Sequence, residues 1–156
     1  MRLTAFTDYS LRVLTYLALR PERRTTIAEI AQAFGISEGH LMKVVHFLGR
    51  NGFLDNVRGK GGGLTLARPP EQINIGAVVR LTEADAMPAE CFDRDNNTCV
   101  ITPACQLRKA LADAVRAFYA VLEAHTLADL VVQRRSLAKI LSIPVETVPM
   151  TRVRAR

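Results

Sequence analysis

Through its first fifty residues the chain repeats apolar positions at helical spacing, and it then switches to short runs suited to strands. Leu3, Phe6, Val13, Leu14 and Leu17 share one stripe with Arg12 and Thr15 interleaved, which predicts a first helix from Leu3 to Leu19. Residues 21–24 break that pattern. Thr26-Ile-Ala-Glu29 then has the spacing of a capping box, in which hydroxyl and carboxylate satisfy the free amides of a helix start. A second helix is expected to reach Phe34. Gly35 supplies a tight turn, Ser37 is an N-cap, and Leu41, Val44, Val45 and Leu48 form the inward face of a third helix.

Phe53 to Val57 and Leu64 to Ala67 read as two strands. The stretch Arg58-Gly-Lys-Gly-Gly-Gly63 between them is the tip of a hairpin. After Pro69-Pro70 a short helix capped by Asn74 is predicted as far as Leu81. A long acidic loop from Glu83 to Thr102 follows, with Pro103 expected in the first turn of another helix. Ala104, Leu107, Leu111, Val115, Phe118 and Leu122 keep a narrow seam on that helix, near coiled-coil spacing, and such a seam asks for a partner. A further helical piece is expected over 126–132.

The fold class is therefore mainly α with a small β wing: a winged helix-turn-helix over 1–82, a cysteine-bearing loop over 83–103, and a long helix with its following piece over 104–134. A tail over 135–156 shows no apolar period and is expected to be mobile.

Composition sharpens this picture in two ways. Basic residues outnumber acidic ones by ten to five over 1–70 but only by eleven to ten over 71–156, so the positive field belongs to the helix-turn-helix half and suits a polyanion. No export leader and no membrane-length apolar run is apparent, which leads us to expect a cytoplasmic protein without a membrane partner.

In a winged helix-turn-helix the third helix enters the major groove of double-stranded DNA. With its apolar face turned inward, that helix displays Glu38, Gly39, His40, Lys43, His46 and Arg50. Ser37, His40 and Lys43 rank first, with Gly39 and His40 near base edges and Lys43 and Arg50 on phosphates. In the wing, Gly59 lets the backbone approach a phosphate or a minor groove, and Arg58 and Lys60 bring charge there. The alternatives are an ordinary solvated helix face and a glycine hairpin chosen for turn geometry alone.

The 3 cysteines fall at Cys91, Cys99 and Cys105, and an odd number cannot pair completely as disulfides within the chain. Structural zinc favours four ligands with closely spaced pairs, and no such pair exists here. An iron–sulfur cluster tolerates irregular spacing, and a missing thiolate leaves one iron open for a sensor's chemistry. A thiol switch between Cys99 and Cys105, zinc, and plain packing of small apolar thiols stay open beside it. The neighbours Glu90, Asp93, Asn97 and Thr98 argue against packing. His40, His46 and His125 carry no ligand spacing and read as surface or interface residues.

Met1-Arg-Leu-Thr-Ala-Phe-Thr-Asp-Tyr-Ser-Leu-Arg12, Val57-Arg-Gly-Lys-Gly-Gly-Gly63, Ile101-Thr-Pro-Ala-Cys-Gln-Leu107 and Thr126-Leu-Ala-Asp-Leu130 resemble a family of dimeric winged-helix regulators. It includes nitric-oxide-sensitive repressors and regulators of iron–sulfur cluster assembly, and the likeness spans about 1–132, closest to the nitric-oxide-sensitive branch. The resemblance implies a homodimer joined by the long helix, an iron–sulfur cluster on Cys91, Cys99 and Cys105, and Asp8 of the other subunit as fourth ligand. From its residues alone Asp8 reads as a first-turn carboxylate facing the helix dipole.

The cluster-assembly branch places a histidine where this chain has Arg108, and the gap from Cys91 to Cys99 is longer than usual. A 4Fe-4S cluster is expected in preference to 2Fe-2S. The implied behaviour is repression at a pseudo-palindromic operator, relieved when nitric oxide attacks the cluster. The competing readings are a regulator sensing thiol oxidation or iron–sulfur status, and an iron–sulfur Lewis-acid enzyme. No phosphate-binding glycine loop, nucleophile elbow or dinucleotide fingerprint is present, so no enzymatic turnover is expected.

Overall fold

Thr4 opens the first helix by accepting the Thr7 backbone N–H at 3.2 Å, which satisfies one of the amides a helix start leaves free. In this computed structural model, which describes residues 3–57, 59, 61–83 and 87–143, that helix is α1, Ala5–Ala18. It is the central strut: the helices Ile27–Phe34, Glu38–Arg50, Ile75–Thr82 and Leu127–Leu130 and the wing all pack on it, and Val13, Leu14 and Leu17 are sealed from solvent between them. Each such side chain contributes about 1.5–3 kcal/mol by burial.

The next two helices follow the local signals. α2, Ile27–Phe34, starts with the expected capping box: Thr26 N–H donates to Glu29 Oε2 at 2.8 Å and Glu29 N–H returns to Thr26 Oγ1 at 3.2 Å. Gly35 ends it at φ 63°, a left-handed conformation that a side chain would strain. α3, Glu38–Arg50, is capped by Ser37 and buries Leu41, Val44, Val45 and Leu48.

The wing is an antiparallel pair, β1 Leu54–Val57 and β2 Gly63–Leu66, in register from Leu54 opposite Leu66 to Val57 opposite Gly63. A third segment, not foreseen from the sequence, joins it. Thr25 N–H donates to Leu64 O at 3.0 Å and Leu64 N–H to Thr25 O at 2.8 Å, so the turn between α1 and α2 extends the sheet by one bridge.

α4, Ile75–Thr82, is capped by Asn74, whose Oδ1 accepts the Ala77 N–H at 2.9 Å. The long helix, α5, is Gln106–Glu123 and starts later than expected. Pro103 sits instead in a separate 3-10 turn, Thr102–Ala104, with Cys105 as the cap residue of α5. Lacking an N–H, proline fits the start of that turn equally well, and the turn closes through Ala104 N–H to Ile101 O at 3.0 Å.

The predicted seam of α5 divides in two. Phe118 and Leu122 pack onto the core through α4, while Leu107 is 66 % exposed, and Val100 and Ile101, which precede the helix, are exposed too. Docking at the packed end is close: a Cβ on Gly76 would meet Glu123 N at 2.8 Å and Glu123 Cα at 2.9 Å. Asn74 Nδ2 donates to Glu123 O at 2.7 Å, and Arg80 pairs with Glu123 at 2.7 Å while lying over the Tyr119 ring at 3.9 Å.

α6, Leu127–Leu130, carries a second capping box made by Thr126 and Asp129, and Leu127 is fully buried. The expected tail over 135–156 needs correction where it is described. Arg134–Ile140 forms α7, with Ala138 and Ile143 buried and Leu137 and Leu141 against the core. Leu137 and Leu141 stand four apart, enough for a short amphipathic turn once Arg134 fixes it by donating to Leu19 O at 2.9 Å. Residues 144–156 lie outside the described residues. Among the described residues no helix is long and apolar enough to cross a membrane.

Candidate nucleic-acid interface and cysteine loop

The outward face of α3 follows from which residues the core claims. Ser37, Glu38, Gly39, His40, Lys43, His46 and Arg50 are all exposed, as their positions opposite Leu41, Val44, Val45 and Leu48 require. Ser37 and His40 are coupled: Ser37 Oγ accepts the His40 backbone N–H, and Oγ and His40 Nδ1 lie 3.0 Å apart. The cap residue and the third residue of the recognition helix are therefore held in one orientation. The sequence reading passed over Met42, which is 56 % exposed on this surface. Helical spacing, which sets it apart from Leu41, Val44, Val45 and Leu48, is the signal that could have placed it outward.

Gly59 adopts φ 95° in the wing turn and its carbonyl accepts the Gly62 N–H at 2.9 Å, so the tip is a tight reversal that requires glycine. Arg58 and Lys60, expected to carry the wing's charge, lie outside the described residues. The same sheet brings in a cation that the sequence reading missed, Arg24, packed beside Gly63.

The cysteine loop is organised by its polar residues. Glu90 Oε1 accepts both the N–H and the hydroxyl of Thr98 at 2.8 Å, tying the residue before Cys91 to the residue before Cys99. The Thr98 hydroxyl first and then its N–H hold the Glu90 carboxyl below its ordinary range. Asp93 accepts from Asp95 N–H at 2.9 Å and from Asn96 Nδ2 at 2.8 Å, closing a local turn. Asn97 receives the Cys99 N–H at 3.1 Å, and Thr102 Oγ1 donates to Cys99 O at 2.8 Å. Arg108 Nε, from the first turn of α5, donates to Cys91 O at 3.0 Å with its guanidinium 5.4 Å from the Phe92 ring centroid. Arg108 thus latches the first cysteine to the helix that Cys105 begins.

The three thiols are free, Cys99 exposed and Cys91 and Cys105 half-buried. Among the described residues no three cysteine, histidine or carboxylate side chains converge as a metal-binding group. The donor chemistry nevertheless fits an iron–sulfur cluster: the thiols are unpaired and accessible, and Glu90 and Asp93 are occupied in holding backbone. Asp8 is engaged within its own helix, 2.8 Å from Arg12 Nη2 and 3.1 Å from Arg12 Nε, and both side chains are partly exposed. His40, His46 and His125 are all exposed.

Glu83 links loop and helices, and the sequence offered no sign of it. Taken there as the start of the loop, it instead caps α4 and is buried. Its Oε1 accepts Thr4 N–H at 2.7 Å and Thr4 Oγ1 at 2.9 Å, together with the Thr7 hydroxyl. The end of α4, where the loop departs, is thereby clamped to the first turn of α1, the turn that carries Asp8.

A recognition helix with a polar outer face, set beside a glycine-tipped wing, defines a winged helix-turn-helix DNA-binding protein. The chain belongs to the Rrf2 family of iron-dependent transcriptional regulators, matching it over residues 3–133. It is similar to the HTH-type transcriptional regulator NsrR of Bacillus subtilis (strain 168), 49 % identical over 144 residues that cover 92 % of this chain and 99 % of that one. It is 51 % identical to the NsrR regulator of Geobacillus kaustophilus (strain HTA426) over 142 residues, 90 % of this chain and 97 % of the relative. Among solved structures it resembles IscR of T. potens with a TM-score of 0.65 and 25 % identity, covering 84 % of this chain and 86 % of that one. The protein is a DNA-binding transcription regulator, of a class that performs no catalysis.

Proposed function

We propose that this regulator represses transcription as a homodimer on a pseudo-palindromic operator and releases it in response to nitric oxide. The signal is received at an iron–sulfur cluster, 4Fe-4S in preference to 2Fe-2S, held by Cys91, Cys99 and Cys105 with the partner subunit's Asp8. Relatives about half identical over nearly their whole length carry the NsrR name, and here two free thiols sit on the loop and a third at the cap of α5 that follows it. The observation that carries the reading is that this loop is tied to helices at two points: where it leaves α4, Glu83 is held by Thr4 and Thr7 of α1, and further along Cys91 is held by Arg108 of α5. A change in the loop has a covalent and hydrogen-bonded route to the helix on which α3 packs.

Within each chain, Ser37 and His40 present the recognition end of α3, Glu38 and Gly39 flank them, and Lys43 and Arg50 set register on phosphates. Arg58, Gly59 and Lys60 complete the contact from the wing. The uncovered Leu107, Val100 and Ile101 form the surface on which a second chain packs, bringing two α3 helices to two half-sites. When bound, an iron–sulfur cluster supplies iron that reacts with nitric oxide. Cys91, Cys99 and Cys105 anchor it, and Arg108 sets the position of Cys91 relative to α5.

Anoxically purified protein is expected to contain iron and sulfide and to bind its operator, and nitric oxide is expected to abolish binding at fixed salt. Equal affinity before and after the gas would remove the sensing claim. A second reading, a metal-free thiol switch, rests on the three cysteines not converging among the described residues. It requires protein without iron or sulfide whose DNA affinity changes on thiol oxidation.

A further inference from the structure

Arg20, Arg23 and Arg24 follow one another closely at the turn between α1 and α2, yet they are used differently. Arg20 pairs with Glu29 at 3.3 Å, and Arg23 pairs with the same carboxylate. Arg24 is exposed and, among the described residues, has no anionic partner. Next to it Thr25 is bridged to Leu64 through both backbone groups, with its own side chain fully buried. Successive side chains of an extended segment point to opposite faces, so the segment that buries Thr25 turns Arg24 outward.

The position along the wing matters most. β2 begins at Gly63, the residue directly after the glycine turn. A Cβ built on Gly63 would come within 3.0 Å of Arg24 Cβ and 3.1 Å of Thr25 O. Arg24 therefore stands at the tip end of the wing and not at its base. Gly63 is what allows this approach: with φ at 145° and no side chain, it lets the neighbouring segment close onto β2.

We infer that Arg24 is a phosphate-binding residue of the DNA interface, a cation lent to the wing by the turn before the helix-turn-helix. The inference rests on the DNA-binding reading of α3 and the wing and adds to it a contact from outside both. Its guanidinium neutralises one backbone phosphate per chain and reads no base, so it acts on every sequence alike.

The test uses the full-length protein and a fluorescein-labelled duplex of random sequence spanning several helical turns, titrated by anisotropy across a salt series. Wild type is expected to bind with a steep loss of affinity as salt rises. Arg24→Ala is expected to bind several-fold more weakly, with the log–log salt slope shallower by about one for each chain bound. Arg24→Lys is expected to keep the wild-type slope, because point charge suffices at a phosphate. Arg23→Ala, which removes a cation already paired with Glu29, is expected to change the slope less. A wild-type slope in Arg24→Ala, with wild-type binding intact, overturns the inference and leaves the DNA reading standing. Absence of salt-dependent binding in the wild type removes both. Arg24 is exposed, so each variant is checked for an unchanged melting temperature, and a slope loss in Arg24→Lys equal to that in Arg24→Ala also overturns it.

Discussion

The Thr4 backbone N–H donates to Glu83 Oε1 at 2.7 Å across 79 residues of sequence, joining the first turn of α1 to the end of α4. Burial alone pushes the Glu83 carboxyl up, but hydrogen bonds from the Thr7 hydroxyl and from Thr4 outweigh it and leave the group below its ordinary range. A lowered folded value means that the unfolded chain binds the proton more readily. The contribution to stability is therefore complete above the ordinary glutamate range and is lost as pH falls through the lowered folded value. Glu83→Gln is expected to melt below wild type at neutral pH, with the gap closing in acid. A gap that stays constant with pH would show that Glu83 acts through packing and not through its charge.

Thr7 is fully buried and serves the same carboxylate. Thr7→Val keeps the shape and removes the hydroxyl, leaving Glu83 and Thr82 each short of a partner. A cost of about 1–3 kcal/mol is expected, measured by urea denaturation. A neutral result would mean that water replaces the lost donor.

Thr25 presents the opposite case. Its Oγ1 is buried without a hydrogen-bond partner among the described residues, while its backbone carries the bridge to Leu64. Thr25→Val removes the unsatisfied group and keeps a β-branched side chain. Stability is expected to stay level or rise by about 1 kcal/mol, with DNA affinity unchanged. A lower melting temperature would contradict this.

Gly76 is buried where α4 meets α5, and any Cβ there runs into the backbone of Glu123, which has no rotamer to yield. Gly76→Ala is expected to cost about 1–3 kcal/mol through overpacking, despite alanine's better helix propensity. Since α5 also carries the uncovered Leu107, sedimentation is expected to show the proposed dimer weakened. A stabilised variant would mean that the two helices part without penalty.

Arg108 holds Cys91 through its carbonyl. In cluster-free protein Arg108→Ala is expected to raise the rate at which a thiol reagent labels Cys91 several-fold, leaving the already exposed Cys99 unchanged. Mass spectrometry of the labelled peptides reads both rates. Equal acceleration at both cysteines would point to general loosening of the loop.

Local patterns carried much of the fold. The four apolar residues Leu41, Val44, Val45 and Leu48 are all buried, and the Thr26 box, the Ser37 cap, the Gly35 turn and the Asn74 cap occur where spacing placed them. Each depends on residues within about four positions of one another, which is the range over which helix geometry repeats. Pro103 and the stretch that forms α7 were misread for the same reason. A proline start and a pair of leucines four apart are compatible with more than one local structure, and neighbours distant in sequence make the choice.

The sequence by itself determined the order of elements as far as α6, the inward and outward faces of α3, the glycine-tipped wing and the set of three cysteines. Only the tertiary structure decided that Glu83 grips Thr4, that Arg24 reaches the wing at Gly63, that Gly76 admits Glu123 and that Arg108 holds Cys91. Chain periodicity records the contacts a residue makes along its own helix or strand. Contacts between elements exist only after the path of the backbone has brought those elements together.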